Sequence, residues 1–351
     1  MLLKRPEETA DAEKTNAMHD ETGSLSGRLC GKYMIDFSIR KDGGVKMEIK
    51  SWTYEEYPGY TEQVPGAVMR KTTGDEVGVR YLHDVEYARI GDVPLHLQIL
   101  LPFTRNEPDK IYPCMVFVQG SAWMEQDVWI QCPMLSGLAK KGYVIAVVQY
   151  RHSGIAPFPA QVQDARNAIR YMRSHALEYH VDPEAIVAGG DSSGGHTSMF
   201  CGIVRDGGEL DDNLFPGVSA KVKGILNYYG SISMMYEDGY PTTVNHHLED
   251  SPEGMLMGKV NLKAHPELCQ KGSVECYITP ELEMAPTMIV HGTKDRTVNT
   301  YQSVQLFEKM KACGKDVRLY LLEGADHGGA EFWTEEMCCL AHRFIQYCLE
   351  K

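Results

Sequence analysis

Residues 185–196 read "AIVAGGDSSGGH": a short apolar run, two glycines, two adjacent serines, and two more glycines. The run has the character of a buried strand, and "GGHTSMFCGIV" after it can form a helix. Between them, Gly190-Asp191-Ser192-Ser193-Gly194 fits G-x-S-x-G. In that pattern a serine sits on a sharp strand-to-helix turn with strained dihedrals, and the residues two before and two after it must be nearly without side chains. Ser192 has glycine at both positions. Ser193 would need glycines at Asp191 and Gly195, and Asp191 does not fit. Ser192 is therefore the candidate nucleophile, and the N–H of Ser193, at the start of the helix, is placed to face a developing oxyanion. Five residues match such a pattern often by chance, so the weight rests on what surrounds them.

Working outward, "YPCMVFVQG", "YVIAVVQY", "AIVAGG", "VKGILNYYG", "PTMIVHG" and "VRLYLLEG" are buried-type strands, most followed by helical segments. "PAQVQDARNAIRYMRSHALEYH" is a long amphipathic helix with Val162, Ala165, Ala168, Ile169 and Met172 on one face. Strand and helix in alternation predict a mostly parallel sheet with helices on both faces, an α/β fold whose sites lie at the carboxyl ends of the strands. Ahead of it, "VRYLHDVEYARIGDVPLHLQILLP" turns at Ile90-Gly91-Asp92 and predicts two antiparallel strands. The rhythm breaks over about 231–284, rich in Gly, Pro, Tyr, Met and His, which reads as an insertion over the strand ends.

A serine hydroxyl needs a base, and the base needs an acid to orient it. Three histidines compete. His196 lies one helical turn beyond Ser192 and would point along the helix; His291, at the end of "PTMIVHG", reads as a satisfied structural histidine. His327, in the glycine-rich loop "LLEGADHGG" after the last strand, can swing across the sheet edge. Asp295 in "VHGTKDRTV" is preferred as the acid to Asp326, because adjacent residues seldom aim a carboxylate at the neighbouring ring nitrogen. The loop "VFVQGSAW" at the same edge supplies the second half of an oxyanion hole: Gly120 lets the backbone turn, and the N–H of Ser121, or of Ala122, is expected to face the reacting carbonyl. Trp123 and Tyr229 are expected near the strand ends, where they either line a substrate pocket or pack the insertion onto the core.

The order Ser192, Asp295, His327, with "VFVQGSAW", "QYRHSGIAPFPAQVQDARNAIRYMR", "VDPEAIVAGGDSSGGH", "MIVHGTKDRTV" and "GADHGG", resembles the α/β-hydrolase superfamily. The resemblance spans roughly residues 75 to 350. It is strongest to carboxylesterases that include hormone-sensitive-lipase-like enzymes, acetyl xylan esterases and feruloyl esterases. It implies a serine esterase acting on a small-molecule ester with short or modest acyl groups, with no cofactor or metal. Two departures stand out: Gln119-Gly120-Ser121 replaces the usual His-Gly-Gly, and Ser193 replaces the usual alanine. An aryl-formamidase-type amide hydrolase or a prolyl-oligopeptidase-type peptidase would use the same residues, although the front of this chain is too short for a peptidase's β-propeller. A non-catalytic binding protein on the same scaffold is a third reading, which the complete triad opposes.

The bulk properties narrow the rest. A net charge of −13 without a compensating Lys/Arg cluster argues against a phosphate-backbone partner. No apolar run reaches the roughly 18 to 20 residues of a membrane helix. "MLLKRPEETADAEKTNAMHDE" lacks a secretory-type apolar stretch, so a cytoplasmic location is the expectation. The ten cysteines show no zinc-type spacing and read as free thiols; His246 and His247 have no second ligand cluster beside them. Residues 1–55 divide from a catalytic domain over 56–351 as a polar leader and a hairpin, "KYMIDFSIRKDGGVKMEIK", whose edge could pair copies of the chain.

Overall fold

Alternate residues of one central strand decide the layering. In β3 (Tyr112–Val118), Cys114, Val116 and Val118 face one apolar cluster, and Met115 and Phe117 face another. Successive strand side chains point to opposite faces, so a strand apolar on both must be covered on both. The first cluster is completed by helices α2 (Ala160–Ser174), α3 (Ser193–Ile203) and α6 (Tyr301–Ala312). The second is completed by α1 (Cys132–Ala139) and α7 (Glu335–Leu349). Each fully buried Val, Leu or Phe contributes ~1.5–3 kcal/mol to holding these layers.

The computed structural model describes residues 51–235 and 241–351. Residues 51–69 form one unit with no helix or strand, and each of their side chains is exposed. The hairpin expected at 32–50 lies outside the described residues. The second unit, residues 70–351, holds an eight-stranded sheet in the order β1-β2-β4-β3-β5-β6-β7-β8. Here β1 is Gly78–Ile90, β2 Val93–Phe103, β4 Val144–Val148, β5 Val181–Asp191, β6 Ile225–Tyr228, β7 Thr287–Gly292 and β8 Val317–Leu322. β1 and β2 pair antiparallel, as does β2 with β4; every later pairing is parallel. This is the mixed α/β-hydrolase sheet, and all six expected parallel strands are present. Its register aligns Val118 of β3 with Gly190 of β5, Asp191 with Tyr228, and Gly292 with Leu322. The loops after β3, β5, β6, β7 and β8 therefore leave the sheet along one edge.

Two local findings go beyond the sequence patterns. The apolar face of α2 is buried as expected, but so are Asp164, Arg166, Asn167 and Arg170 on its other side. Arg166 and Arg170 share Asp206 and Asp211 in four ion pairs at 2.7–2.8 Å, and Arg151 holds Asp164. The interval between β6 and β7 carries short helices at Pro252–Leu256 and Pro266–Gly272. Met234, Leu256, Leu262 and Val274 anchor it to the core. Its residues 241–246 lie against the loop after β7: Thr243 N–H donates to the Arg296 carbonyl, and Asn299 to that of Pro241. Among the described residues no helix is long and apolar enough to cross a membrane, and each described cysteine is a free thiol.

Candidate active site

β5 ends at Asp191 and α3 begins at Ser193, so Ser192 alone makes the turn, at φ 52°. That region is unfavourable for a residue with a Cβ, and the surroundings explain why it is held there. A Cβ at Gly190 would strike the Gly194 carbonyl, and one at Gly194 would strike the Val118 carbonyl. Only glycines let the helix start so close to β3. The Ser192 N–H donates to the Tyr228 carbonyl at 2.9 Å, which ties the turn to β6.

The structure brings the three sequence-selected residues together. Ser192 Oγ lies 2.8 Å from His327 Nε2, and His327 Nδ1 lies 2.7 Å from Asp295 Oδ2. Because Nδ1 faces a carboxylate it carries the proton, which leaves Nε2 to accept from the serine. Asp295 Oδ1 accepts the N–H groups of Thr297 and Val298 at 2.9 and 2.8 Å. Burial alone would raise the Asp295 carboxyl, but hydrogen bonds and charge from His291 and His327 hold it well below the usual carboxylate range. The rivals lie elsewhere. His196 bonds the Gly272 carbonyl at 2.8 Å, and burial pushes it down to about 4. Asp326 accepts from Arg296 and from the His327 backbone, and not from its ring.

The loop after β3 takes Gly120 and Ser121 out of the expected set of oxyanion donors and leaves Ala122. Gly120 presses on the nucleophile: a Cβ there would sit 2.5 Å from the Asp191 carbonyl oxygen and 2.7 Å from Ser192 Cβ. Its N–H, however, donates to Asp191 Oδ1 at 2.9 Å, and that of Ser121 to Ser193 Oγ at 2.9 Å. Neither is an open donor. The N–H groups of Ala122, at φ 55°, and of Ser193, at the head of α3, are not taken up by these bonds and flank Ser192 from either side. Gln126 pins the loop by donating to the carbonyls of Gln119 and Val148 and accepting from Tyr150 N–H. Ser121 Oγ lies 2.6 Å from the Met124 carbonyl and 2.8 Å from the Tyr150 hydroxyl.

For Trp123 and Tyr229 the structure favours packing over pocket lining. They are 1% and 2% exposed, so neither forms an open pocket wall. Trp123 packs edge-on against His196. Tyr229, at φ 41°, sets its ring 5.0 Å from His327 and 4.4 Å from Phe332, and its hydroxyl faces Asp191 at 3.3 Å. They support the site from beneath.

Sequence reasoning missed Asp191. It accepts from Gly120, Gln131 and Tyr229, so one buried carboxylate joins the turn, the β3 loop and the floor under His327. Burial pushes its carboxyl up to about 6 against those hydrogen bonds. An acid in a position the motif leaves free was the signal. His291 was read as structural; it sits 3.0 Å from Asp295 Oδ2, the oxygen that His327 uses.

The BD-FAE family model matches residues 97–310, which include the β3 loop, the serine turn and Asp295. Esterase LipC of Mycobacterium tuberculosis is 28% identical over 252 residues, 71% of this chain and 60% of its own length. The chain thus spans about 60% of the length of that curated relative. Among solved structures, a truncated carbohydrate esterase from gut microbiota superposes with a TM-score of 0.68 at 24% identity, covering 80% of this chain and all of the other. Thermogutta terrifontis esterase 2 with propionate bound gives 0.60 at 25% identity, over 78% and 94% of the two chains. The match covers more than half of the sequence, and the chain belongs to the BD-FAE family on an α/β-hydrolase fold.

Proposed function

We propose that this protein is a serine hydrolase that cleaves carboxylic esters of short or modest acyl chains through an acyl-enzyme. The observation that carries the reading is the unbroken line Ser192–His327–Asp295 beside two open backbone donors, Ala122 and Ser193. Ser192 Oγ attacks the ester carbonyl as His327 Nε2 takes its proton. The tetrahedral oxyanion is held by the N–H groups of Ala122 and Ser193, each worth ~3 kcal/mol in comparable sites. The alkoxide leaves with the proton from His327. Water then attacks the acyl-enzyme by the same route. Asp295, kept ionised by its four donors, orients the ring and offsets its charge.

The likeness to esterase LipC supports ester substrates, and that to the carbohydrate esterase supports acyl esters of glycans as the natural class. The test is hydrolysis of p-nitrophenyl acetate, butyrate and octanoate by the wild type, Ser192→Ala and His327→Ala. The expected result is activity that falls with chain length and drops ~10⁴-fold or more in both variants. Acetylated and feruloylated glycans form the next panel. A wild type inert on every ester but active on formamides would replace the ester with a small amide.

A further inference from the structure

Asp295 receives two imidazoles on one oxygen. His327 Nδ1 lies 2.7 Å from Oδ2, and His291 Nε2 lies 3.0 Å from the same atom. His291 and the Asp295 side chain are both inaccessible to solvent. His291 Nε2 also lies 3.0 Å from the Val298 carbonyl, so both neighbours of this nitrogen are acceptors and it must carry a proton. On the far side of the ring, Nδ1 lies 2.7 Å from Ser303 Oγ of α6, whose hydroxyl is free to donate. A single line of hydrogen bonds therefore runs from Ser303 through His291, Asp295 and His327 to Ser192.

We infer that His291 is a positioning residue for the hydrolysis: its Nε2–H fixes the Asp295 carboxylate in place and makes it a weaker base towards His327. A bare aspartate between β7 and the base could rotate about its last bond. Here Oδ1 is held by two backbone donors and Oδ2 by two rings, which leaves it one orientation. The donation from His291 also spreads the carboxylate charge, so the proton between Asp295 and His327 stays on the ring when the imidazolium forms. The inference rests on the proposed ester hydrolysis.

Other ionisable groups approach this line. Asp191 reaches it through the Tyr229 hydroxyl, beneath His327. The exposed Arg296–Asp326 pair flanks the acid and the base. His246, paired with Glu253, contacts the Thr297 carbonyl from the β6–β7 interval. All three are shared by the wild type and the variants below, so a difference between them reports on His291.

The experiment compares the wild type, His291→Phe, His291→Gln and Ser303→Ala. It uses the pH profile of kcat/KM on p-nitrophenyl acetate and the pH midpoint of the low-field proton NMR resonance from His327 Nδ1–H. His291→Phe keeps a ring but loses the donor. Its kcat is expected to fall roughly 10- to 100-fold with KM little changed, and its acidic limb to move up by about one pH unit as Asp295 holds the imidazolium more tightly. His291→Gln restores an N–H near Nε2 and should keep the limb in place. Ser303→Ala should move the limb the same way by less, and it decides the matter if the Phe variant does not fold. Limb and NMR midpoint unmoved in both Phe and Ala variants would overturn the role. A wild type inert on esters would defeat the ester reading instead, and the NMR midpoint would still read His291.

Discussion

Among the described residues, two regions that bury charge differ in kind, and only one of them lies at the candidate active site. Behind α2, Arg166 and Arg170 are enclosed with the Asp211 carboxylate, Asp206 closes the cluster from the solvent side, and every guanidinium nitrogen has a partner. Burial would raise the Asp211 carboxyl, but the hydrogen bonds of Arg170 and Arg166 bring it down to about 2. At the strand ends the carboxylates are as well satisfied, yet the backbone is strained at Ala122, Ser192 and Tyr229, and the N–H groups of Ala122 and Ser193 stay open. Buried charge alone therefore marks no function. Strain together with donors held in reserve marks it, because both cost stability and are recovered only when a ligand's charge arrives.

The largest expected effect separates the two networks. Arg170→Met removes one arm of the arginine cluster and leaves Asp211 and Asp206 short of a partner. Unfolding in urea should show a loss of about 3–5 kcal/mol, while kcat of the folded fraction stays within two-fold. A large fall in kcat would mean that the cluster is coupled to the site. The converse change is Gly120→Ala. Its Cβ would collide with the Asp191 carbonyl and Ser192 Cβ, so kcat of the folded fraction should fall by about 100-fold, alongside a stability loss of about 1–3 kcal/mol. A variant equal to the wild type in kcat would show that the β3 loop is not part of the machinery.

The smallest effect concerns Asp191, which belongs to the site but is also a stability element. Its carboxyl rises from the ordinary 3.8 to about 6 through burial, outweighing its hydrogen bonds from Gly120 and Tyr229. The fold thus prefers its protonated form. That contribution is fully present below about pH 4 and is lost as pH rises through about 6. Asp191→Asn cannot ionise. The stability of the wild type relative to it should therefore fall by on the order of 2 kcal/mol between pH 4 and pH 7, then stay level. Parallel stability curves across that range would contradict the buried-acid reading.

The residues show why some features could be read from the sequence and others could not. Ser192, Asp295 and His327 were legible because each follows its own strand, and a parallel sheet delivers such loops to one edge. The apolar face of α2 was legible from its period. Its polar face looked like a solvated one, because Asp206 and Asp211 arrive from a loop some forty positions later, and no local pattern announces them. Gly120 and Ser121 were placed on the right loop, but the direction of an N–H depends on Asp191 and Ser193 across a gap of about seventy residues. The aromatic residues Trp123 and Tyr229 were found at the right edge with their exposure left open. Composition tells that a ring is near a site, and packing decides whether it faces in or out.

The central claim is that Ser192, and not its neighbour Ser193, is the activated nucleophile. The most direct measurement is intact-mass and peptide mapping of the protein after brief exposure to a fluorophosphonate, which traps a serine only where a base and oxyanion donors activate it. One adduct per chain, mapped to Ser192 and lost in His327→Ala, is the expected result. No adduct, or one on Ser193, would contradict the account.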